Sequence, residues 1–393
     1  MKHVNVKIGG ITLGQGYGVA VQSMTNTPTS DVEATVAQIE RLAAAGCEMV
    51  RITVPALKNI EHFAQIKQKV RSAGVTTYNN IAIPLIADVH YLPEVALRCA
   101  EIADKVRINP GNYVDRPEDV NTPAAAMKEK IAERLQPLTE ICKKHNTALR
   151  IGVNQGSLSK RILSQAQQLQ NQAANAGSDQ ISTIDVIKEQ ALILSALEFT
   201  DACEALQFEN TVYSIKSSDV TVMVHATERL YKAMLERETV YPLHIGVTEA
   251  GNGQDGRIIS AAGIGSLLLH GIGNTIRVSL TEKPENEIPV ARAILQACGL
   301  GSFTTRFVAC PSCGRTQYDI ETVLEKIKAR FGNYPNIKIA VMGCVVNGPG
   351  EMGDADYGYI GGAKGVVNLY RKGQLVKTGI PEKEALDELE KLL

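Results

Sequence analysis

The stretch VAVQSMTNTPTSDVEATVAQIERLAAAGCEMVRITV, residues 19–54, predicts a strand, a helix and a second strand in that order. VAVQSM (19–24) and MVRITV (49–54) are short apolar runs. Between them, apolar residues recur at the 3.6-residue period of a helix. Ser30 and Asp31 stand at the start of this period, as Ser or Asp do at the start of N-capped helices. The stretch therefore has the pattern of one β–α–β unit of a parallel sheet.

Six further apolar runs continue this rhythm: PLIADV (84–89), KVRIN (105–109), ALRIGV (148–153), VYSIKSS (212–218), LHIGVTEA (243–250) and TIRVSL (275–280). Eight strand–helix units favour a parallel (β/α)8 barrel of the TIM type. A doubly wound sheet is the competing α/β interpretation.

The pattern changes after Cys298-Gly299, where a helix is expected to end. We therefore predict a barrel domain over 1–298 and a smaller α/β domain over 299–393. In the second domain we expect a helix over 317–330 and a hairpin turn at KGQ, 372–374. In the barrel domain, the glutamine-rich segment 156–182 is predicted to be a solvated surface element.

Composition excludes several classes of protein. The formal net charge of −1, the absence of Trp and the presence of only six Phe argue against nucleic-acid binding. No apolar run approaches the roughly 18 residues of a membrane span, and the first residues lack a signal core, so a cytoplasmic protein is expected. Eight cysteines are too few for a disulfide framework in a chain of 393 residues.

Alternation along five predicted strands places cations on the polar face, which we expect to point into the barrel. These cations are Arg51, Arg107, Arg150, Lys216 and Arg277. Asp88 and Glu249 are the two acidic residues recognised on the same faces, too few to neutralise them.

The missing negative charge is therefore expected to come from a ligand, and a diphosphate matches guanidinium groups in geometry and charge. The carboxyl ends of the strands form the active-site face of such barrels. Glu249 and Asp88 are candidates for proton transfer, although either could instead orient an arginine. His90 shares a face with Asp88 and is interpreted as a structural histidine.

Three cysteines form the second constellation. Cys310 and Cys313 lie in a CxxC motif, and Cys344 begins CVVNGPGE. A CxxC alone would suit zinc or a redox pair, but residues 299–393 contain no His and no further Cys to close a zinc site. Three thiolates favour an iron–sulfur cluster, with Glu351 as first and Asn347 as second candidate for the remaining position. Glu351 as a plain surface carboxylate stays open.

The other cysteines lie singly in apolar helical patterns and are expected to pack in the core: Cys47, Cys99, Cys142, Cys203 and Cys298.

Together these motifs resemble the family of bacterial 4-hydroxy-3-methylbut-2-enyl diphosphate synthases of the non-mevalonate isoprenoid pathway. The resemblance is carried nearly end to end by VQSMTNTPTSDVEAT, VRITV, ADVHY, VRINPG, RIGVNQGSL, GVTEAG, GIGNTIRVSL, CPSCGRT and MGCVVNGPGE. It implies a barrel, a reductase-like domain carrying a [4Fe–4S] cluster, and a head-to-tail homodimer in which one subunit's cluster covers the other's barrel.

The resemblance also implies the reaction and its residues. The reaction is the reductive opening of 2-C-methyl-D-erythritol 2,4-cyclodiphosphate, with two electrons from flavodoxin or ferredoxin. Cys310, Cys313, Cys344 and Glu351 match cluster ligands, Glu351 being expected to yield to the substrate, with Asn347 beside that iron. Glu249, with Asp88 nearby, matches the position proposed to manage protons. Diphosphate-binding positions are matched by Arg51, Arg107, Arg150, Asn154, Lys216, Arg277 and Ser279.

Gln155 departs from this family pattern, since a bulkier residue is expected there. The alternative function is a barrel lyase or isomerase acting on a phosphorylated sugar, with a zinc-stabilised accessory domain. An electron-transfer module would leave the inward cations unexplained.

Overall fold

The computed structural model describes residues 1–175, 184–346 and 348–393. The chain divides into two compact units, Met1–Leu300 and Gly301–Leu393. Each unit has its own sheet.

Eight parallel strands form the sheet of the first unit. They are named β1 to β8: Ala20–Met24, Met49–Thr53, Leu85–Asp88, Lys105–Ile108, Ala148–Asn154, Thr211–Lys216, His244–Ile245 and Thr275–Ile276. The hydrogen-bonded order is β7-β8-β1-β2-β3-β4-β5-β6. A parallel bridge between Tyr213 and Leu243 brings β6 back to β7. This cyclic order confirms the predicted (β/α)8 barrel and excludes the doubly wound alternative.

The last two barrel strands are shorter than predicted. β7 ends at Ile245 and β8 at Ile276, whereas the apolar runs extend to 250 and 280. Gly246, directly after β7, has a φ of +151°, a conformation that L side chains rarely adopt. The apolar residues beyond each strand are buried although they are not in the ladder, so hydrophobicity alone overestimates the strand length.

Helices follow the strands and cover the sheet. The main ones are Val32–Ala44, Lys58–Ser72, Pro93–Ala100, Ala124–His145, Ile184–Ala205, Val220–Glu236, Gly253–Leu269 and Glu287–Ala297. Asp31 caps the first of these helices, because its carboxylate accepts a hydrogen bond from the Ala34 N–H at 3.0 Å. Short strands Val6–Ile8 and Ile11–Leu13 form a hairpin, and Lys2–His3 pairs with Thr239–Val240.

The glutamine-rich segment begins as a helix, Lys160–Asn175. Its Ile162 and Ala166 are buried and pack in a cluster with Ile187 and Ala191. The helix is therefore amphipathic: its other face, which includes Gln167, Gln168 and Asn171, is exposed as predicted, whereas the packed apolar face was not predicted. Residues 176–183 lie outside the described residues.

The second unit contains a five-stranded sheet. Its strands, β9 to β13, are Arg306–Ala309, Lys338–Met342, Tyr357–Ala363, Val366–Arg371 and Gln374–Pro381, paired in that order. β9, β10 and β11 are parallel, whereas β12 and β13 are antiparallel to their neighbours. The helices are Ile320–Phe331, Gly348–Glu351 and Glu382–Glu390.

Two local predictions in this unit have different outcomes. The hairpin turn is confirmed, since Lys372 and Gly373 connect β12 to β13 with φ values of 48° and 78°. The helix predicted from 317 begins later, at Ile320, because Asp319 caps it by accepting the Thr322 N–H at 3.3 Å.

Among the described residues, we find no helix that combines the length and the apolar character required to cross a membrane.

Candidate active site and cysteine loops

The barrel register places three charged residues side by side. Asp88 on β3 pairs with Arg107 on β4, and Arg107 pairs with Arg150 on β5. All three side chains are buried. Paired residues of parallel strands project to the same face, so the predicted inward cations share the barrel interior with Asp88.

Asp88 is the counter-ion of two arginines. Its carboxylate lies 3.1 Å from Arg107 Nη1 and 3.5 Å from Arg51 Nε. Burial opposes ionisation, but these two guanidinium groups hold the pKa of Asp88 well below its usual range. An anion held this firmly favours the arginine-orienting role for Asp88 over the proton-transfer role.

Arg107 is fixed from two more sides. Its Nη2 donates to the Gly152 carbonyl at 2.9 Å, and its Nη1 lies 3.0 Å from His90 Nδ1. A Cβ on Gly152 would come within 2.4 Å of Arg107 Nε. Glycine on β5 therefore makes room for the guanidinium on β4.

Arg277 has a counter-ion that sequence reasoning missed. Glu287 begins the helix after β8 and is 2% exposed. Its carboxylate lies 3.4 Å from Arg277 Nη2 and accepts from Ser23 Oγ at 2.9 Å and the Leu280 N–H at 3.2 Å. Strand alternation has no signal for this residue, since it lies on a helix.

Among the described residues, four interior cations keep buried donors without an acceptor, and Arg107 Nε and Arg277 Nε are two of these donors. Within the described ranges, Arg150 Nε and Nη1 and Lys216 Nζ are buried and have no hydrogen-bond partner. A Cβ on Gly246 would approach Lys216 Nζ to 2.5 Å, so this glycine leaves the ammonium its space. Buried donors of this kind require an acceptor, which an anionic ligand provides.

The remaining predicted barrel residues lie at the strand ends or in the loops that follow them. Asn154 ends β5 and accepts the Gly156 N–H at 2.9 Å, while Ser279 is half-buried beyond β8. Glu249 is exposed, has a φ of 57°, and takes no part in the ion pairs recorded for the described residues. Gln155, the departure from the family pattern, accepts from Ser217 Oγ at 2.5 Å and so ties β5 to β6.

Cys310 and Cys344 follow adjacent parallel strands, β9 and β10. Cys310 Sγ accepts the Gly343 N–H at 3.2 Å, and the Gln317 N–H donates to the Gly343 carbonyl at 2.9 Å. The two loops are therefore connected at one edge of the sheet.

The ligand set itself stays a prediction. In residues 1–175, 184–346 and 348–393, no three His, Cys, Asp or Glu side chains are gathered as a metal site. Cys310, Cys313 and Cys344 are free thiols, and Glu351 is exposed at the end of a short helix. Asn347 lies outside the described residues.

The thiols nevertheless fit an iron–sulfur cluster by their chemistry. Hydrogen bonds from the Arg315 backbone and side chain lower the pKa of Cys313, which favours the thiolate. Cys310 already accepts a backbone hydrogen bond, as cluster-ligating sulfurs commonly do.

Comparison with known proteins identifies the family. The family model described as the GcpE TIM-barrel domain matches residues 3–292, and the GcpE protein C-terminal domain matches 306–393. The chain belongs to the GcpE family. The predicted family resemblance is therefore confirmed.

Curated relatives of this GcpE protein align over almost their whole length. A protein of Gloeothece citriformis is 47% identical over 99% of this chain and 91% of its own length. One of Picosynechococcus sp. is 46% identical with the same coverage. Both are named 4-hydroxy-3-methylbut-2-en-1-yl diphosphate synthase (ferredoxin). Among solved structures, a dihydropteroate synthase from Coxiella burnetii aligns with a TM-score of 0.45 and 10% identity, over 76% of this chain and 98% of that one.

Proposed function

We propose that this GcpE protein converts 2-C-methyl-D-erythritol 2,4-cyclodiphosphate into 4-hydroxy-3-methylbut-2-enyl diphosphate. The relatives' names describe the synthase of this product. The structural observation that supports the substrate class is the set of buried donors on Arg150 and Lys216, which have no acceptor among the described residues. A diphosphate supplies several acceptor oxygens and the negative charge that the interior lacks.

The barrel residues are proposed to bind the diphosphate in different ways. Arg150 and Lys216 offer their unpartnered donors to the phosphate oxygens. Arg51 and Arg107, oriented by Asp88, and Arg277, oriented by Glu287, present guanidinium groups in fixed directions. Asn154 and Ser279 contribute polar groups at the strand ends. Because the ion pairs hold these guanidinium groups in place before the ligand binds, little side-chain conformational entropy is lost on binding.

Proton transfer is proposed for Glu249 rather than for Asp88. The reaction takes up two electrons, and the departing hydroxyl needs a proton to leave as water. Glu249 is exposed beyond β7, where a substrate can reach it, whereas Asp88 is committed to Arg51 and Arg107.

Cys310, Cys313 and Cys344 would hold an iron–sulfur cluster, proposed to be [4Fe–4S], with Glu351 at the fourth position and Asn347 beside it. Such a cluster supplies the two electrons one at a time. The donor is proposed to be ferredoxin, which the relatives' names mention, or flavodoxin. A head-to-tail homodimer is proposed to complete each site.

An anaerobic assay with reduced ferredoxin tests the proposal. Mass spectrometry of the product is expected to show conversion of the cyclic diphosphate only when the donor is present. Cys344→Ser is expected to abolish conversion. The matched control is Cys298→Ser, a cysteine of the barrel unit outside the proposed ligand set. Conversion of the cyclic diphosphate to a redox-neutral product without a donor, with Cys344→Ser as active as the wild type, would instead support the lyase or isomerase.

A further inference from the structure

The barrel interior contains a second layer of polar side chains. This layer is closer to the amino ends of the strands than the layer that contains Arg107 and Arg150. This floor layer consists of Gln22, Lys105 and His244. Lys105 precedes Arg107 by two residues on β4 and pairs in register with Ile86 and Ala148. Lys105 and His244 are both 0% exposed. Charge in this layer is therefore compensated by the protein or by a ligand, not by bulk water.

The protein gives the Lys105 ammonium weak partners. Lys105 Nζ lies 3.4 Å from Gln22 Oε1 and 4.0 Å from Met49 Sδ. No ion pair joins Lys105 to a carboxylate within the described part of the chain. Gln22 Nε2 and His244 Nε2 are also buried without a hydrogen-bond partner.

The electrostatic environment of Lys105 disfavours its protonated form. Arg51 and Arg150 are the charged groups that act on Lys105, and both are positive. Burial first, and then these two arginines, lower the pKa of Lys105 well below its usual value. The same causes, with Lys105 and Lys216 added, lower the pKa of His244.

The buried carboxylates nearby are already committed. Asp88 is paired with Arg51 and Arg107, and Glu287 with Arg277. The titratable and charged groups that face the interior around Lys105 are thus Arg51, Asp88, Arg107, Arg150, Lys216, His244, Arg277 and Glu287. Cations exceed carboxylates in this set, so a bound anion would supply the counter-charge that the interior lacks.

We infer that Lys105 takes up a proton when a phosphate-bearing ligand binds to the arginines of the barrel interior, and so adds a positive charge to the anion site. The inference rests on the proposed diphosphate site. The negative charge of the ligand offsets the repulsion from Arg51 and Arg150, so an ammonium becomes tolerable at a position where it is otherwise disfavoured. The proton comes from the solvent, and ligand affinity rises as the pH falls through the range in which Lys105 gains it.

Isothermal titration calorimetry with inorganic pyrophosphate tests this on the anaerobically purified full chain. Titrations in buffers of different ionisation enthalpy give the number of protons taken up per ligand. The wild type is expected to take up more protons than Lys105→Met, with a difference of roughly one proton at a pH where Lys105 is neutral before binding. Lys105→Gln is the second variant, to be used if the Lys105→Met protein does not fold. Lys128→Met, at an exposed position of Ala124–His145, is the matched control and is expected to match the wild type.

The outcomes separate the two proposals. Binding of pyrophosphate with equal proton uptake by wild type, Lys105→Met and Lys105→Gln would overturn the role of Lys105 and leave the diphosphate site intact. Failure of the folded wild type to bind pyrophosphate would overturn both.

Discussion

At the scale of single residues, Gly152 shows how the barrel interior makes room for a cation. Alanine at this position would bring a methyl group to 2.4 Å from Arg107 Nε and displace the guanidinium from Asp88 and the Gly152 carbonyl. We expect Gly152→Ala to raise KM for the cyclic diphosphate about tenfold to a hundredfold, since small misplacements of binding groups have effects of this size. Steady-state kinetics check this. Gly18→Ala, where an added Cβ meets nothing within 4 Å, is the control and is expected to leave KM unchanged.

Asp88 predicts a dependence of stability on pH. The pKa of Asp88 is lower in the folded than in the unfolded chain. The ionised carboxylate therefore stabilises the fold at pH values above the pKa of the unfolded chain, and this contribution is lost as the pH falls towards the pKa of the folded chain. Asp88→Asn leaves Arg51 and Arg107 without their buried counter-ion and is expected to lose roughly 3–5 kcal/mol at neutral pH. Denaturant titrations at several pH values measure both effects. A wild type and variant that lose stability in parallel between about pH 5 and 2 would contradict this role.

Residue by residue, the sequence predicted the interior cations better than their partners. Alternation located Arg51, Arg107 and Arg150 correctly because strand geometry fixes which side chains face inward. Lys105 lies two residues before Arg107 on β4 and therefore faces the same side, but alternation did not single it out because it is the first residue of the strand. Alternation could not predict Glu287, because this residue begins a helix and the two-residue period of a strand does not apply to it.

At the scale of elements, the helix Glu287–Ala297 positions the last barrel cation. Its first residue holds Arg277, Ser23 Oγ and the Leu280 N–H together, which joins the end of β8 to β1. Glu287→Gln removes the charge and turns one acceptor into a donor, so a loss of roughly 1–3 kcal/mol in unfolding free energy is expected. Chemical denaturation measures it. Glu40→Gln, at an exposed position of Val32–Ala44, is the control, and an equal loss in both variants would refute the role of Glu287.

The number and order of the strand–helix units followed from the apolar runs, but strand length did not. β7 and β8 are two residues long because the chain leaves the ladder while its side chains stay buried. For the cysteines, spacing identified two loops that the structure connects through Gly343. It could not show how the sulfurs converge, since that geometry depends on the metal they bind.

At the scale of the whole molecule, the proposed head-to-tail homodimer predicts complementation between two inactive variants. Arg150→Met disables the barrel site, and Cys344→Ser disables the cluster site. If one subunit's cluster serves its partner's barrel, a mixed dimer contains one intact pair, and coexpression should restore about a quarter of wild-type activity at random pairing. Anaerobic assays of the coexpressed and separate variants measure this. No recovery from dimers shown to be mixed would contradict the proposed arrangement.

The proposed function requires that a cluster held by Cys310, Cys313 and Cys344 reduces a diphosphate bound by the barrel cations. Mössbauer spectroscopy of anaerobically prepared, iron-57-labelled protein, with and without the cyclic diphosphate, tests it most directly. We expect the spectrum of an iron–sulfur cluster in which one iron site changes when the substrate is added. A protein that contains zinc in place of iron, or a cluster spectrum that the bound substrate leaves unchanged, would contradict it.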